Sequence, residues 1–148
     1  MKALLQRVKH AQVTVDGVVK GAIKEGLLLL LGCGEGDGEE EMKHIAEKAV
    51  HLRIFADQEG RMNRSLLDLG GSMLVVSQFT LYADTSRGRR PSFVSAMAPD
   101  AAEKLYLEFC DYVSSLGITV EKGVFGAHME IELLNDGPVT ILLERVPQ

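Results

Sequence analysis

Apolar and polar residues alternate toward the end of Lys2 to Val15, where Val13 and Val15 are set against Gln12 and Thr14. A period of two residues predicts a strand there. Asp16-Gly17 is a strong two-residue hairpin signal, which makes Val18 to Ile23 the return strand. Gly26 to Cys33 is a continuous apolar run, suited to a central strand buried on both faces. Gly34 to Gly38 breaks it. From Glu39 to Arg53 the period lengthens, with Met42, Ile45, Ala46, Ala49 and Val50 on one helical face. Glu39, Glu40 and Glu41 suit the positive end of that helix's dipole. Ile54-Phe55 predicts a short strand, Asp57 to Gly71 a long polar loop, Met73 to Phe79 a strand, and Tyr82 to Pro91 another loop. Pro99 fits the first position of a second long helix, with Ala102, Leu105, Phe109, Tyr112, Val113 and Leu116 on its apolar face and Gly117 as its stop. Thr119-Val120, Met129 to Leu134 and Val139 to Leu143 complete the strands.

The sum predicts an α+β fold in a single domain over residues 1–148. Mainly antiparallel or mixed sheets form a barrel-like or layered sandwich with two long helices. A chain of 148 residues buries enough surface for a core without staples. Cys33 and Cys110 lie far apart and form no metal-type pair, Met1 to Arg7 has no apolar signal core, and Leu27 to Leu31 is too short to span a bilayer. These features predict a cytoplasmic protein with two free thiols and no membrane contact. The net charge of −5 weighs against coating nucleic acid by bulk electrostatics, but it allows a grip on a few nucleotides at a strand end. Positive charge concentrates at Arg87-Gly88-Arg89-Arg90, which reads equally as a solvated loop or a phosphate contact.

Most familiar chemistries find no support in the pattern. His10, His44, His51 and His128 build no metal-ligand spacing, so no metal or other cofactor is expected. There is no Gly-x-Ser-x-Gly elbow, and a hydroxyl without a base is a poor nucleophile. Gly32 to Gly38 is glycine-rich but lacks a P-loop lysine and runs into three glutamates, so it reads as a flexible connection. Glu130 and Glu132 share one strand face, which reads as solvated. Two segments remain. Ser77-Gln78-Phe79-Thr80 places hydroxyl, amide and backbone N–H groups at a strand end, where N–H groups can stabilise an oxyanion. Asn135-Asp136-Gly137-Pro138 has the residue types of a hairpin turn, yet a Gly-Pro corner can also hold its carbonyls in a fixed direction.

At these residues the chain resembles the D-aminoacyl-tRNA deacylases. The resemblance spans the whole chain through Gln6-Arg7-Val8, Gly26 to Gly32, Arg53-Ile54-Phe55, Gly70-Gly71-Ser72, Val75 to Leu81, Arg90-Pro91-Ser92-Phe93, Gly123 to Met129 and Asn135 to Thr140. Ser-Gln-Phe-Thr and Asn-x-Gly-Pro-x-Thr match in full. The resemblance implies hydrolysis of the ester joining a D-amino acid to the 3′ end of tRNA, by a homodimer with a site shared across subunits. It implies a cis peptide at Gly137-Pro138 that reaches into the neighbouring subunit and rejects L-amino acids. It implies backbone N–H groups around Gln78 and Phe79 as the oxyanion hole, with Ser77 and Thr80 in the same catalytic turn. Arg7 would fix the Gly-Pro corner, Asn135 would support it, and Phe125 and Met129 would lie near the terminal adenosine. Because an aminoacyl ester is already activated, water or the neighbouring ribose hydroxyl can serve, and no covalent role for Thr80 is expected. Three alternatives stand beside this reading: L-alanyl-tRNA editing by a relative of the same fold, a non-catalytic nucleic-acid-binding module, and a purely structural dimer.

Overall fold

A computed structural model describes every residue from Met1 to Gln148. The strand β1 (Lys2–Val15) organises the rest. It is long enough to pair with three neighbours. It meets β3 (Gly26–Gly32) along Lys2 to Val8, β2 (Val18–Ile23) along Ala11 to Val15, and β8 (Glu130–Glu144) along nearly its whole length, all antiparallel. From β3 the sheet continues in parallel through β6 (Ser72–Ser77) to β7 (Thr119–Lys122). The helices α1 (Glu39–His51) and α3 (Pro99–Ser115) sit within the two parallel crossovers, where such connections need them. The far edge curls round so that β2 packs against β6 and β7. At Gly21 the approach is so close that a Cβ would meet the Lys122 carbonyl oxygen at 2.7 Å. The result is a nearly closed, barrel-like mixed sheet with helices on its outside.

The period of two explains how one sheet serves two cores. Leu27, Leu29, Leu31, Met73 and Val75 face the larger cluster, shared with Ile45, Ala49 and Val50 of α1 and Leu105, Phe109 and Val113 of α3. Leu28, Leu74 and Val76 point the other way, to a smaller cluster with Val8, Ala11, Val13 and Ile23 inside the curl. Each such side chain, fully buried, contributes about 1.5–3 kcal/mol from removal of apolar surface from water. On α3 the buried face is shifted from the expected one: Tyr106 and Cys110 are inside, while Tyr112 is only half-buried and Leu116 lies at the helix's end. The Tyr106 hydroxyl meets the Val75 carbonyl at 2.7 Å, which satisfies its polar tip in the interior.

Several local expectations change. Asp57 to Gly71 is not plain loop: β5 (Met62–Arg64) pairs with β4 (Phe55–Ala56), and a one-turn helix α2 (Leu66–Leu69) follows. Ser65 caps α2 reciprocally with Asp68. The strand expected to run to Phe79 stops at Ser77, and Phe79–Tyr82 is a 3₁₀ turn. Gly32 to Gly38 is a packed turn rather than a flexible connection. The Met1 ammonium donates to Asp37 Oδ1 at 2.7 Å and to the Arg145 carbonyl at 2.6 Å, and both members of the ion pair are shut off from solvent. Asp37 Oδ2 accepts from the Gly34 N–H at 2.6 Å. Gly34 must be glycine here, because a Cβ would stand 2.5 Å from the Tyr82 ring.

The largest change concerns Asn135 to Pro138. These residues do not reverse the chain. β8 runs through them as a single strand. Four residues, Asp136 to Val139, stand opposite Arg7 alone, between the pairs Gln6–Thr140 and Val8–Asn135. The segment is an extended bulge, an outward excursion of β8, and β1 carries a one-residue irregularity of its own at Lys9 beside it.

Candidate functional site

The excursion is fixed from β1 by the residues that face it. Arg7 Nε donates to the Asp136 carbonyl at 2.9 Å, and its Nη1 donates to the Ile54 carbonyl at 2.6 Å. The Asp136 carboxylate lies 3.7 Å from Nε. Asn135 closes the base of the loop: its Oδ1 accepts from the Val139 N–H at 3.0 Å, and its Nδ2 donates to Gln6 Oε1. The Thr140 hydroxyl donates to the same Gln6 oxygen. Asn, Thr, Gln and Arg are thus required at these positions because each satisfies a backbone or side-chain partner of the bulge. The Gly137–Pro138 peptide is cis, as the resemblance implies, and both residues are exposed at the tip. Gly137 has φ +138°, and a Cβ on it would lie 2.9 Å from the Val139 side chain and 3.1 Å from Arg7 Nη2. Both backbone and space therefore demand glycine.

A cavity of about 600 Å³ opens elsewhere on the molecule. Its walls include Ser77, Gln78 and Phe79 from the end of β6, Phe93, Phe125 and Met129. The lining is mostly apolar with a few polar groups, as small-molecule sites are. The Phe79 and Phe93 rings meet edge to face with centroids 5.1 Å apart. Phe125 leans on Tyr106 with a centroid separation of 6.0 Å.

At the turn itself the expected division of labour is altered. The Gln78 N–H donates to the Leu31 carbonyl at 2.8 Å, so it completes the sheet and is not free for a ligand. Phe79 and Thr80 open the 3₁₀ turn, and the first N–H groups of such a turn have no carbonyl behind them within it. Gln78 contributes through its side chain, whose Nε2 donates to Thr80 Oγ1 at 2.5 Å. An amide donor cannot take the hydroxyl's proton. It orients the hydroxyl and leaves the proton to point elsewhere. His128 lines the cavity but makes no hydrogen bond to Ser77 or Thr80, so within the chain neither hydroxyl is bonded to a base. Cys33 also lines the cavity, and burial first, then the Asp37 charge, pushes its thiol up to about 12, so it is no thiolate at neutral pH.

The structure therefore gathers the sequence-expected residues into two groups. Ser77, Gln78, Phe79, Phe125 and Met129 share the cavity, with Thr80 exposed beside it. Arg7, Asn135, Gly137 and Pro138 share the bulge and contribute nothing to the cavity wall of the same chain. Sequence reasoning missed Gln6 and Ile54 as supports, Cys33 and His128 as lining residues, and Phe93 as the partner of Phe79. Gln6 could have been found as the polar neighbour of Arg7 facing Thr140. The others depend on contacts across the fold.

Known proteins add the following. A family model described as D-Tyr-tRNA(Tyr) deacylase matches residues 4–144. A D-aminoacyl-tRNA deacylase of Roseiflexus castenholzii is 62% identical over 97% of this chain and 92% of its own length. One of Thermosipho africanus is 54% identical over 97% of each chain. Among solved structures, a c-Myc DNA unwinding element binding protein superposes with a TM-score of 0.94 at 39% identity over 99% of each chain. A structure described as "a probable eukaryotic D-amino acid tRNA deacylase" superposes with a TM-score of 0.79 at 20% identity over 96% of this chain and 97% of its own, a likeness of fold alone.

Proposed function

This chain belongs to the D-Tyr-tRNA(Tyr) deacylase family, and from that premise we propose how its cavity and its bulge divide the reaction between them. The activity is hydrolysis of the ester in D-aminoacyl-tRNA, which releases the amino acid and free tRNA and serves proofreading in translation.

The observation that carries the mechanism is the separation just described. In one chain the Ser77–Thr80 turn borders a cavity, while the Gly137–Pro138 tip stands exposed on another part of the surface. The two meet when a second copy presents its tip to the cavity of the first, so the active form is a homodimer with shared sites. Exposed Leu133, Leu134 and Leu142 on β8 support this, since they give that region apolar surface for a partner to cover. The terminal adenosine lies against Phe125 and Met129. The Phe79 and Thr80 N–H groups receive the oxyanion that forms as the carbonyl carbon becomes tetrahedral. Water, or the vicinal ribose hydroxyl, supplies the attack on an ester that is already reactive. The Thr80 hydroxyl, oriented by Gln78, positions the substrate.

Chirality then follows from occlusion. The rigid tip of the partner leaves room for hydrogen on the α-carbon but none for an L side chain. Glycine carries no side chain to exclude, so glycyl-tRNA is also a substrate. The protein works in the cytoplasm, where charged tRNA is found.

Side-by-side assays of D-tyrosyl-, L-tyrosyl-, L-alanyl- and glycyl-tRNA test this. Cleavage is expected for the D-ester and the glycyl ester, with both L-esters resistant. Preferred cleavage of L-alanyl-tRNA would reassign the substrate, and a resistant glycyl ester beside a cleaved D-ester would reject occlusion. Sedimentation should give twice the 16.2 kDa chain mass, and an active monomer would reject the shared site.

A further inference from the structure

The chain holds eight arginines. Five are committed within the fold. Arg7 bonds the bulge and Ile54, Arg53 bonds Asn63, Arg61 pairs with Glu59, Arg64 bonds the Asp68 carbonyl, and Arg145 pairs with Glu40. The remaining three are Arg87, Arg89 and Arg90. All three are exposed, and none has a carboxylate or any other hydrogen-bond partner. Lys9, Lys20, Lys24, Lys48 and Lys122 also lack a side-chain partner, but only at Arg87 to Arg90 do three cations fall within four consecutive residues of a protein whose net charge is −5.

The loop that carries them is built and not merely loose. Asp84 and Ser92 exchange both backbone hydrogen bonds, at 2.8 and 3.0 Å, and so close its neck. Asp84 Oδ1 accepts from the Ser86 N–H at 3.0 Å. Ser86, through its side chain first and its N–H second, holds the Asp84 carboxyl below the usual carboxylate range, so that charge is spent within the loop. Gly88 turns the tip with φ +65°, and a Cβ there would meet nothing within 4 Å, which places the tip in open solvent. The neck is tied to the cavity. The residue after Ser92 is Phe93, whose ring packs edge to face on Phe79, and both rings line the cavity wall.

We propose that the loop from Asp84 to Ser92 is a phosphate-binding arm that takes the backbone of the nucleotides preceding the terminal adenosine, through Arg87, Arg89 and Arg90. This rests on the deacylase reading and names which part of the substrate the chain grips outside the cavity. The chemistry is specific to it. The ester-bearing nucleoside fills the cavity, and the strand leading to it carries one phosphate per nucleotide past the rim. Guanidinium groups suit phosphate oxygens, and three of them suffice for a short single strand without a basic surface elsewhere.

Two substrates separate the arm from the cavity: D-tyrosyl-tRNA, and D-tyrosyl-adenosine, which has no upstream phosphate. The variant Arg87→Ala/Arg89→Ala/Arg90→Ala should lose at least about tenfold in kcat/KM on the tRNA in about 0.1 M salt. Its plot of log kcat/KM against log salt should flatten by about 2, at roughly 0.7 per single-strand phosphate released. Hydrolysis of D-tyrosyl-adenosine should change by less than about twofold, and the oligomeric mass should not change. The corresponding triple lysine variant should keep most of the salt slope, because the charge remains. Equal losses on both substrates would show that the loop only shapes the cavity and would overturn the proposal, as would an unchanged rate and slope on tRNA. A wild type inactive on both esters would reject the deacylase reading itself, and the arm with it.

Discussion

Arg7 on β1 donates from Nε to the backbone carbonyl of Asp136 on β8 at 2.9 Å, and its other arm reaches the Ile54 carbonyl at 2.6 Å. One side chain thus ties the bulge to the segment that follows α1. Replacing Arg7 by Ala leaves the Ile54 carbonyl without its donor and frees the bulge. The expected cost is about 1–3 kcal/mol of stability. A loss of about ten- to a hundredfold in kcat/KM for the D-ester is also expected, since a small displacement of positioning groups costs that much. Lysine should not rescue, because one ammonium cannot span two carbonyls in fixed directions as the planar fork does. Kinetics on D-tyrosyl-tRNA, beside thermal melts of the same samples, check this. A lysine variant with wild-type rates would refute it.

Gly137→Ala places a Cβ 2.9 Å from the Val139 side chain and 3.1 Å from Arg7 Nη2, on a backbone at φ +138°. The tip must move. The D-to-L rate ratio should fall at least about tenfold, equivalent to about 1.4 kcal/mol of lost discrimination. Gly17→Ala is the control. It also carries a positive φ, +77°, but meets nothing within 4 Å and lies in the β1–β2 turn. It should cost about 1 kcal/mol of stability and leave the ratio alone. Matched D- and L-tyrosyl-tRNA assays on both variants decide the matter, and an unchanged ratio in Gly137→Ala would contradict the assigned role.

Asp37→Asn removes the partner of a fully buried ammonium at Met1. Breaking one side of such a pair leaves an uncompensated charge in a dry site, which costs about 3–5 kcal/mol. Denaturant titration should show that loss with an unchanged m-value. Part of the effect should reach the Ser77–Thr80 turn, since Asp37 also lies beside the Tyr82 hydroxyl at the end of the 3₁₀ turn that begins with Phe79. A stability change below about 1 kcal/mol would mean that the pair is not formed in solution.

Both thiols are pushed up to about 12 from 9.0, in each case mainly by burial. A raised folded-state value means that the folded protein holds the proton more tightly than the unfolded chain does. The associated stability is complete below pH 9 and is lost as pH rises toward 12. Iodoacetamide at pH 8 should therefore label neither Cys33 nor Cys110 until the chain unfolds, and alkaline titration should destabilise the protein progressively above pH 9. Rapid labelling under native conditions would refute the burial of either thiol.

The strands and helices were legible where hydrophobic periodicity decides them. The run Gly26 to Cys33 had to be central because it offers apolar residues to both faces, and Leu28 and Leu29 do enter different cores. The candidate site was legible as a set of motifs but not as an arrangement. Asn, Asp, Gly and Pro favour a reversal on local grounds, and only the length of β1, which pairs with β8 on both sides of the segment, makes it an excursion instead. The α2 helix was missed because a four-residue helix has too few positions to show a period. The use of the Gln78 N–H by Leu31 depends on the parallel partner strand, and the Met1–Asp37 pair joins residues that no local pattern connects.

The bulge in β8 has one more implication, for what the scaffold would look like without it. Only Arg7 faces Asp136 to Val139. Excising Asp136, Gly137 and Pro138 would set Val139 against Arg7 and close this excursion, leaving only the one-residue bulge at Lys9, between the pairs Val8–Asn135 and His10–Leu134. A shortened molecule of that kind should keep the sheet, with Arg7 Nε left without its Asp136 acceptor, and should lose the D-to-L discrimination proposed for the tip. β8 pairs with β1 on both sides of those three residues, so the tip is an appendage that the sheet carries without needing it for its pairing.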